Sequence, residues 1–254
     1  ENDAAIAWLR RRFISEGKTS PIYHALSRPE SCENEAVHRM IALAEAAGNA
    51  PLYIVHVSSA KSARLIKDAK ARGLNVYGET CPQYLFLDES RYEACGDEGL
   101  KYIMSPPLRN KRNQEKLWSY IKDGTLSVVA TDHCTFDYHG LKQLGREDFT
   151  KCPNGAPGVE TRIPLLFSEG VGAGRLNLNE FARIVSTNPA KLFGLYPKKG
   201  VLMVGSDADI VMLDPHREVT VQKSLLHEHV DYTPYEGMMV KGWPVMTMVR
   251  GEIV

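Results

Sequence analysis

The 254-residue sequence has no net charge, because 31 Lys and Arg residues balance 31 Asp and Glu residues. A balanced chain gives no electrostatic reason to expect binding to nucleic acid or to an anionic membrane surface. The sequence also lacks an apolar run long enough to cross a bilayer. We therefore expect a protein that binds neither nucleic acid nor membranes.

Cysteine is scarce, and the five cysteines are not paired. They are scattered along the chain without a Cys-x-x-Cys pair, as Cys32, Cys81, Cys95, Cys134 and Cys152. An odd, scattered set argues against a disulfide scaffold and against a zinc ribbon. No signal peptide and no initiating Met is present, and the first residues already have helical spacing. We expect reduced thiols, a cytoplasmic location and a chain that begins inside a fold.

The first half of the sequence alternates between helical and strand patterns. Apolar spacing predicts helices at 3–14, 30–48, 60–73 and 113–124, and buried strands at 51–57, 74–80 and 126–131. Such alternation is typical of parallel β/α units. It fits a β/α barrel and a doubly wound sheet equally well.

Polar residues stand at the C-terminal ends of the predicted strands. His56 follows the first strand, Glu79 and Thr80 end the second, and Asp132 follows the third. Pocket residues of parallel β/α proteins lie at that end of the sheet. A single His or Asp there is equally consistent with a satisfied core histidine or a turn-capping carboxylate. On neighbouring strands, as we take them to be, His56 and Asp132 could share a divalent metal ion or act as a base and its orienting group.

The pattern changes after residue 149. The segment TKCPNGAPGVETR, at 150–162, is a loop with two Gly and two Pro, a composition that often surrounds a ligand. Helices are predicted at 163–171, 177–187 and 188–195, and short strands without intervening helices at 207–214, 218–222 and 246–254. We expect a small β module from about Tyr196 onward.

Two short motifs mimic functional sites. His227 and His229, in HEH, would share one face of a strand, which is a common metal-binding arrangement. We place them in the β module, away from the strand ends that carry His56 and Asp132. The Gly-rich string GVGAGRLNL follows a helix and not a strand, so it lacks the context of a phosphate-binding loop. We assign a function to neither motif.

Eight segments of the sequence are more specific than these patterns. They are HVSSAKSARLI, VYGETCPQYL, YIMSPPLR, VVATDHCTF, FTKCPNGAPGVETRIPLL, STNPAKLFGLYPKKG, VGSDADIVMLDP and DYTPYEGMMVKGWPV. In this order they resemble the D-hydantoinase/dihydropyrimidinase family of the cyclic amidohydrolase superfamily, over essentially the whole chain. The resemblance implies an α/β fold: the C-terminal part of a TIM-like (β/α)8 amidohydrolase barrel at 1–195, followed by the C-terminal strands of a small β-sandwich at 196–254.

The resemblance also implies a reaction, the metal-dependent hydrolysis of the cyclic amide bond of hydantoins or dihydropyrimidines to N-carbamoyl amino acids. Two divalent metal ions, typically zinc with manganese or cobalt as alternatives, would be bridged by a carboxylated lysine and would generate the attacking hydroxide. His56 and Asp132 match two of the family's metal ligands, and Asp132 also matches its proton-transferring catalytic residue. The other ligands, including the lysine, have no counterpart in this sequence.

Substrate contacts and assembly follow from the same resemblance. Ser105 and Asn154 match positions that hold the cyclic ureide or diimide ring, largely through main-chain groups. His133 could support Asp132 as a neighbouring group, or it could be purely structural. A full-length protein would be a homo-oligomer, either a tetramer or a dimer.

Several alternatives remain open. Non-catalytic dihydropyrimidinase-related proteins, such as the collapsin response mediator proteins, share the family fold but have lost metal ligands, whereas Asp132 and PNGAPG are retained here. Allantoinase and dihydroorotase are same-class alternatives, and GETCPQYL together with PNGAPGVE favours the hydantoinase branch. Because this chain carries two of six metal ligands, we expect it to be inactive in isolation.

Overall fold

The computed structural model describes residues 1–254, and its helices and strands alternate along the first half of the chain. They are α1 (Asp3–Ser15), α2 (Ile22–Leu26), α3 (Glu30–Ala46), β1 (Leu52–Ile54), α4 (Ala60–Ala71), β2 (Val76–Thr80), α5 (Pro82–Phe86), α6 (Arg112–Lys122), β3 (Leu126–Val129), α7 (Arg162–Leu166), α8 (Leu178–Ala182), α9 (Asn188–Leu192), β4 (Ile210–Thr220), β5 (Met239–Val249) and β6 (Glu252–Ile253). None of these helices combines the length and the apolar character needed to cross a membrane.

The first three strands form a parallel sheet in the order β1-β2-β3, which confirms the predicted parallel β/α units. Helix α4 packs against this sheet at Gly78 on β2, where an added Cβ would lie 2.9 Å from Ile66 Cδ1. A side chain there would have to displace the terminal carbons of Ile66 and Leu126, so glycine favours this close approach of helix and strand. Either Ser58 or Ser59 is placed in the sequence to cap α4, and in the structure Ser59 does so by accepting a hydrogen bond from the Ser62 amide at 3.1 Å.

Strand β2 lies between the two strands that precede His56 and Asp132. The prediction that these residues follow neighbouring strands was therefore wrong, because β1 and β3 pair with β2 and not with each other. The pairing of β2 with β3 is irregular between Gly78 and Glu79. Such an irregularity changes the direction of the following side chains. Glu79, at the end of the central strand, thus lies on the element that separates the two candidate ligands.

The helices of the second half are more continuous than the sequence predicts. Helix α7 runs into a π-helical turn at Phe167–Gly172, and α8 runs through a second π-helical turn, Arg183–Thr187, directly into α9. The predicted break at residue 188 is thus absent. Widening of the helix at the second π turn accommodates Pro189, which has no N–H to donate.

An antiparallel sheet, ordered β4-β5-β6, ends the chain. The two strands predicted at 207–214 and 218–222 are parts of the single strand β4, whose pairing with β5 is interrupted between Asp214 and Glu218, where Pro215 cannot donate to the ladder. Strand β5 begins at Met239, earlier than predicted, and a turn at Arg250 and Gly251 separates it from β6.

The connection between β4 and β5 returns to the core of the parallel sheet. Its apolar side chains belong to the same buried cluster as residues of β3, α6 and α7, and they are Val221, Leu226, Val230, Tyr232 and Tyr235. Asp231 reinforces this packing, because its carboxylate accepts hydrogen bonds from the amides of Tyr138 and His139 at 2.6 and 2.9 Å. The domain boundary at 195/196 stays a prediction, and the segment beyond it shares its core with the β/α region.

Candidate functional site

His56 and Asp132 both follow parallel strands and both have left-handed backbone conformations. The φ angle is 40° at His56 and 51° at Asp132, and only two other residues besides glycine have positive φ, Asn49 and Arg250. Left-handed backbone costs roughly 1–2 kcal/mol in a residue with a Cβ. Such strain concentrates at functional sites, where the surrounding structure enforces it. Asp132 is exposed and His56 is partly exposed, so both side chains can reach a ligand.

Glu79 organises the backbone around His56. Its carboxylate accepts a hydrogen bond from the His56 amide at 3.3 Å and another from the Tyr53 hydroxyl at 2.7 Å. Burial, together with this hydrogen bond to Glu79, raises the pKa of Tyr53 and keeps its hydroxyl protonated as a donor. One carboxylate on the central strand therefore fixes the turn that presents His56.

A buried ion pair supports the same turn from behind. Glu33 accepts hydrogen bonds from the amides of Ser58 and Ser59, both at 3.1 Å, and it also contacts the Ser58 hydroxyl. Burial by itself raises the pKa of Glu33. The Arg109 guanidinium and the serine hydrogen bonds together lower it by more, so the pKa of Glu33 is lowered overall. A charged Glu33 thus secures the chain immediately after His56.

His133 joins the Asp132 segment to the Pro/Gly loop. Its Nδ1 accepts hydrogen bonds from the amides of Gly158 and Val159 at 3.2 and 3.3 Å. The amide of Cys134 donates to the carbonyl of Ala156 at 3.2 Å. The acceptor role of Nδ1 assigns the ring proton to Nε2 in the neutral form. His133 therefore positions the loop that contains Asn154.

The Pro/Gly loop needs glycine at Gly155. The φ angle there is 148°, and a Cβ would collide with the carbonyl oxygen of Cys134. The Gly155 amide donates to the carbonyl of Ile103 at 3.0 Å, which places Asn154 beside the segment that leads to Ser105. Asn154 itself is exposed. The structure thus brings together the segments of Asp132, Ser105 and Asn154.

Buried polar side chains hold the Ser105 segment in place. His24 contacts the carbonyl of Met104 through Nε2 at 2.7 Å, and the Tyr84 hydroxyl donates to the carbonyl of Pro106 at 2.9 Å. Burial, with the Arg28 charge as a smaller contribution, lowers the pKa of His24 to about 3, so the ring is neutral and Nε2 donates. By contrast, the Ser105 hydroxyl is buried without a hydrogen-bond partner, which is unusual for a buried polar group.

The donor chemistry of His56 and Asp132 fits a divalent metal ion in part. A neutral imidazole and a carboxylate are ligands that zinc accepts. No group of three or more His, Cys, Asp or Glu side chains in the chain could hold a metal ion, however. The two residues can therefore contribute to a metal site, and they cannot complete one.

The HEH motif lies in the irregular connection between β4 and β5, so its predicted placement on a strand of the β module was wrong. His227 bonds to Glu160 through both its amide, at 2.7 Å, and its Nδ1, at 2.8 Å. The carboxylate of Glu228, the middle residue of the motif, accepts a hydrogen bond from the Glu160 amide at 3.0 Å. These contacts give the motif a structural explanation.

Sequence reasoning assigned no role to the side chains that support this site from behind: His24, Glu33, Glu79, Arg109 and Lys142, whose Nζ donates to the Ile103 and Pro153 carbonyls. Glu79 was visible as a polar strand end, but its bond to the His56 amide depends on the strand order. The other four lie outside the strands: His24, Glu33 and Arg109 are more than 20 residues from His56 and Asp132 along the chain, and Lys142 is ten residues after Asp132. A buried lysine or histidine has no distinguishing pattern in a single sequence.

Known proteins similar to this chain match it over nearly its whole length. Residues 13–254 match the model of the amidohydrolase family. The chain is 53% identical, over all 254 residues, to D-phenylhydantoinase from Escherichia coli O1:K1 / APEC, of which it covers 55%. It thus spans about half the length of the curated relatives it matches.

Solved structures give the same result. The fold matches a dihydropyrimidinase from Brevibacillus agri NCHU1002 with a TM-score of 0.97 and 51% identity, covering 99% of this chain and 54% of that one. It also matches an L-hydantoinase (dihydropyrimidinase) from Arthrobacter aurescens with a TM-score of 0.91 and 36% identity, covering 99% of this chain and 55% of that one. The relatives are thus similar in fold and in sequence throughout the compared region.

Proposed function

The chain belongs to the amidohydrolase family, and on that premise we propose that it forms part of a cyclic amidohydrolase that opens hydantoin or dihydropyrimidine rings to N-carbamoyl amino acids. The observation that supports the proposal is that backbone hydrogen bonds join the segments of Asp132, Asn154 and Ser105, through Cys134 to Ala156 and Gly155 to Ile103, while His56 and Asp132 both follow strands of the parallel sheet. Relatives named D-phenylhydantoinase and dihydropyrimidinase support this reaction class.

The architecture proposed for the whole protein is a TIM-like barrel with a β-sandwich. The parallel strands β1 to β3 with their helices would be the C-terminal units of that barrel, and the antiparallel strands β4 to β6 would belong to the sandwich. Coverage of about half of each relative supports this assignment. The remaining barrel strands would come from a part of the protein outside these residues.

His56 and Asp132 would each hold one of two divalent metal ions, for which zinc is the first choice and manganese or cobalt are alternatives. Bound metal would supply Lewis acidity and lower the pKa of a water molecule toward neutrality. The other ligands, with the carboxylated lysine of the family, would come from outside this chain, since it offers no third ligand in reach.

Asp132 suits proton transfer in this reaction. Its carboxylate is exposed, and its backbone is left-handed with a φ of 51°. It would accept the proton of the attacking water and give it to the departing ring nitrogen, as a general base and then a general acid. His133, whose Nδ1 already accepts hydrogen bonds from the Gly158 and Val159 amides, would hold the adjacent loop.

The substrate proposed for this site is a small cyclic ureide or diimide. Such a ring alternates N–H and C=O groups, and rigid Pro/Gly loops can present main-chain donors and acceptors in the same alternation. The Ser105 segment supports this assignment, because His24 and Tyr84 hold the carbonyls on both sides of Ser105 and so fix its main chain in place. Asn154 lies exposed on the facing loop. Assembly as a tetramer or dimer and a cytoplasmic location stay predictions.

The proposal is tested by Asp132→Asn in a full-length protein that carries this chain. We expect turnover of hydantoin and dihydrouracil to fall by at least about a thousandfold, with the content of one bound metal reduced, because both the proton acceptor and a ligand charge are lost. Asp137→Asn is the matched control, since Asp137 is an exposed aspartate five residues further along. Full activity in the Asp132 variant would disprove the catalytic role, and an inactive wild type would point to a non-catalytic relative.

A further inference from the structure

Lys142 is a lysine whose side chain is completely buried, with 0% exposure. Its Nζ donates to the carbonyl of Ile103 at 2.6 Å and to the carbonyl of Pro153 at 2.8 Å. The ring of Phe136 lies 6.0 Å from the same amine. No carboxylate pairs with this amine, so its hydrogen-bonding capacity is directed at backbone carbonyls of two loops.

The two carbonyls belong to the segments that the proposed function assigns to substrate binding. Ile103 lies two residues before Ser105, and Pro153 lies immediately before Asn154. The Ile103 carbonyl also accepts from the Gly155 amide at 3.0 Å, so Lys142 and Gly155 share one acceptor. A single ammonium group therefore closes a bridge between the Ser105 segment and the Asn154 loop.

Burial of an amine without a carboxylate partner is unfavourable, and burial lowers the pKa of Lys142 to about 8. Simple packing at this position would be served better by methionine or leucine, which carry no desolvation penalty. Unlike an apolar side chain, the amine supplies hydrogen-bond donors to both loops. The two hydrogen bonds are the contacts that an apolar replacement would remove.

We propose that Lys142 is a positioning residue that sets the spacing between the two loops that bind the cyclic substrate. The proposal rests on the proposed function. Without the amine, the two carbonyls lose their common donor, and the main-chain groups near Ser105 and Asn154 separate. Because these groups would bind the ring in both the ground state and the transition state, substrate affinity should suffer before the chemical step does.

The test compares Lys142→Met with wild type in the full-length protein, with Lys151→Met as the matched control, since Lys151 is an exposed lysine near the same loop. We expect KM for dihydrouracil to rise on the order of tenfold, with kcat within about threefold and metal content unchanged. Lys142→Arg, which keeps charged N–H donors, should lie closer to wild type than Lys142→Met does.

Amide hydrogen exchange provides a readout that does not depend on turnover. In Lys142→Met, peptides covering 102–106 and 152–158 should exchange faster together, whereas the control should leave both unchanged. If the methionine variant does not fold, as judged by circular dichroism, Lys142→Gln replaces it in both measurements.

The outcomes separate the two proposals. Wild type without activity on hydantoin or dihydrouracil would defeat the proposed function. Active wild type with unchanged KM and unchanged loop exchange in Lys142→Met would defeat the positioning role alone. A loss confined to kcat, with KM unaltered, would also contradict it.

Discussion

The guanidinium of Arg109 lies 3.1 Å from the carboxylate of Glu33, and both side chains are about 95% buried. Arg109 Nε also donates to the Ser58 hydroxyl at 2.9 Å, and its Nη1 contacts the carbonyl of Arg28. The pair thus connects α3, the turn after His56 and the segment after Ser105. Two parts of the candidate site share one buried charge pair.

Removing both members of this pair should lower the free energy of unfolding by less than the two single removals together. Arg109→Met leaves the Glu33 charge buried without a partner and should lower the free energy of unfolding by about 3–5 kcal/mol. The double variant Glu33→Gln/Arg109→Met should be destabilised by less than the sum of the two single variants, because neither charge remains. Urea unfolding of the four proteins measures this coupling. Additive single-variant effects would show that the ion pair has no special role.

The left-handed backbone at Asp132 should cost folding stability in any residue that carries a Cβ. Asp132→Gly should have a free energy of unfolding about 1 kcal/mol higher than Asp132→Ala, because glycine adopts a φ of 51° without strain. Both variants remove the carboxylate, so their difference reports the backbone alone. Urea unfolding decides the point, and the same pair at Asp137 serves as the control. Equal stabilities of the two Asp132 variants would mean that the backbone there is unstrained.

His24 predicts a loss of stability in mild acid. Its pKa is lowered to about 3 in the folded protein, mainly by burial, whereas an unfolded histidine titrates near 6.5. Between these values only the unfolded chain binds the proton, so the stabilisation is complete above about pH 6.5 and is lost progressively as the pH falls toward 3. Each pH unit in this window changes the free energy of unfolding by up to about 1.4 kcal/mol.

His24→Gln should remove this pH dependence, because an amide can still donate to the Met104 carbonyl but does not titrate. Urea unfolding at about pH 7 and about pH 5 should show a loss roughly 2 kcal/mol smaller in the variant than in wild type. His38→Gln, at an exposed histidine, is the control and should behave as wild type. An equally steep loss in both proteins would exclude His24 as the source.

The 254-residue chain by itself should be catalytically inactive and should bind zinc weakly. His56 and Asp132 are two ligands, and zinc sites in enzymes need at least three protein ligands. Calorimetric titration with zinc and an assay with dihydrouracil in excess zinc or manganese would test both statements. Turnover above background by the purified chain would show that a complete site forms from these residues, for example between copies.

The sequence determined the local elements of this protein for physical reasons that act within one segment. Helical spacing and caps such as Ser59 placed the helices, and short apolar runs placed the parallel strands. The positions of His56 and Asp132 just after strands could be read directly, because parallel strands present their C-terminal ends on one side of a sheet. The eight motif segments made the family resemblance visible.

Only the tertiary structure decided how these segments meet. Strand order placed β2 between the strands of His56 and Asp132, and hydrogen bonding across the sheet then assigned Glu79 to the His56 amide. Lys142 contacts Ile103 at a separation of 39 residues, and the connection after β4 packs into the core of the parallel sheet. Such partners depend on which surfaces are buried together. The arrangement of buried surfaces minimises the exposed apolar area and the number of unpaired polar groups of the whole chain. It therefore depends on all segments together and cannot be read from any one of them.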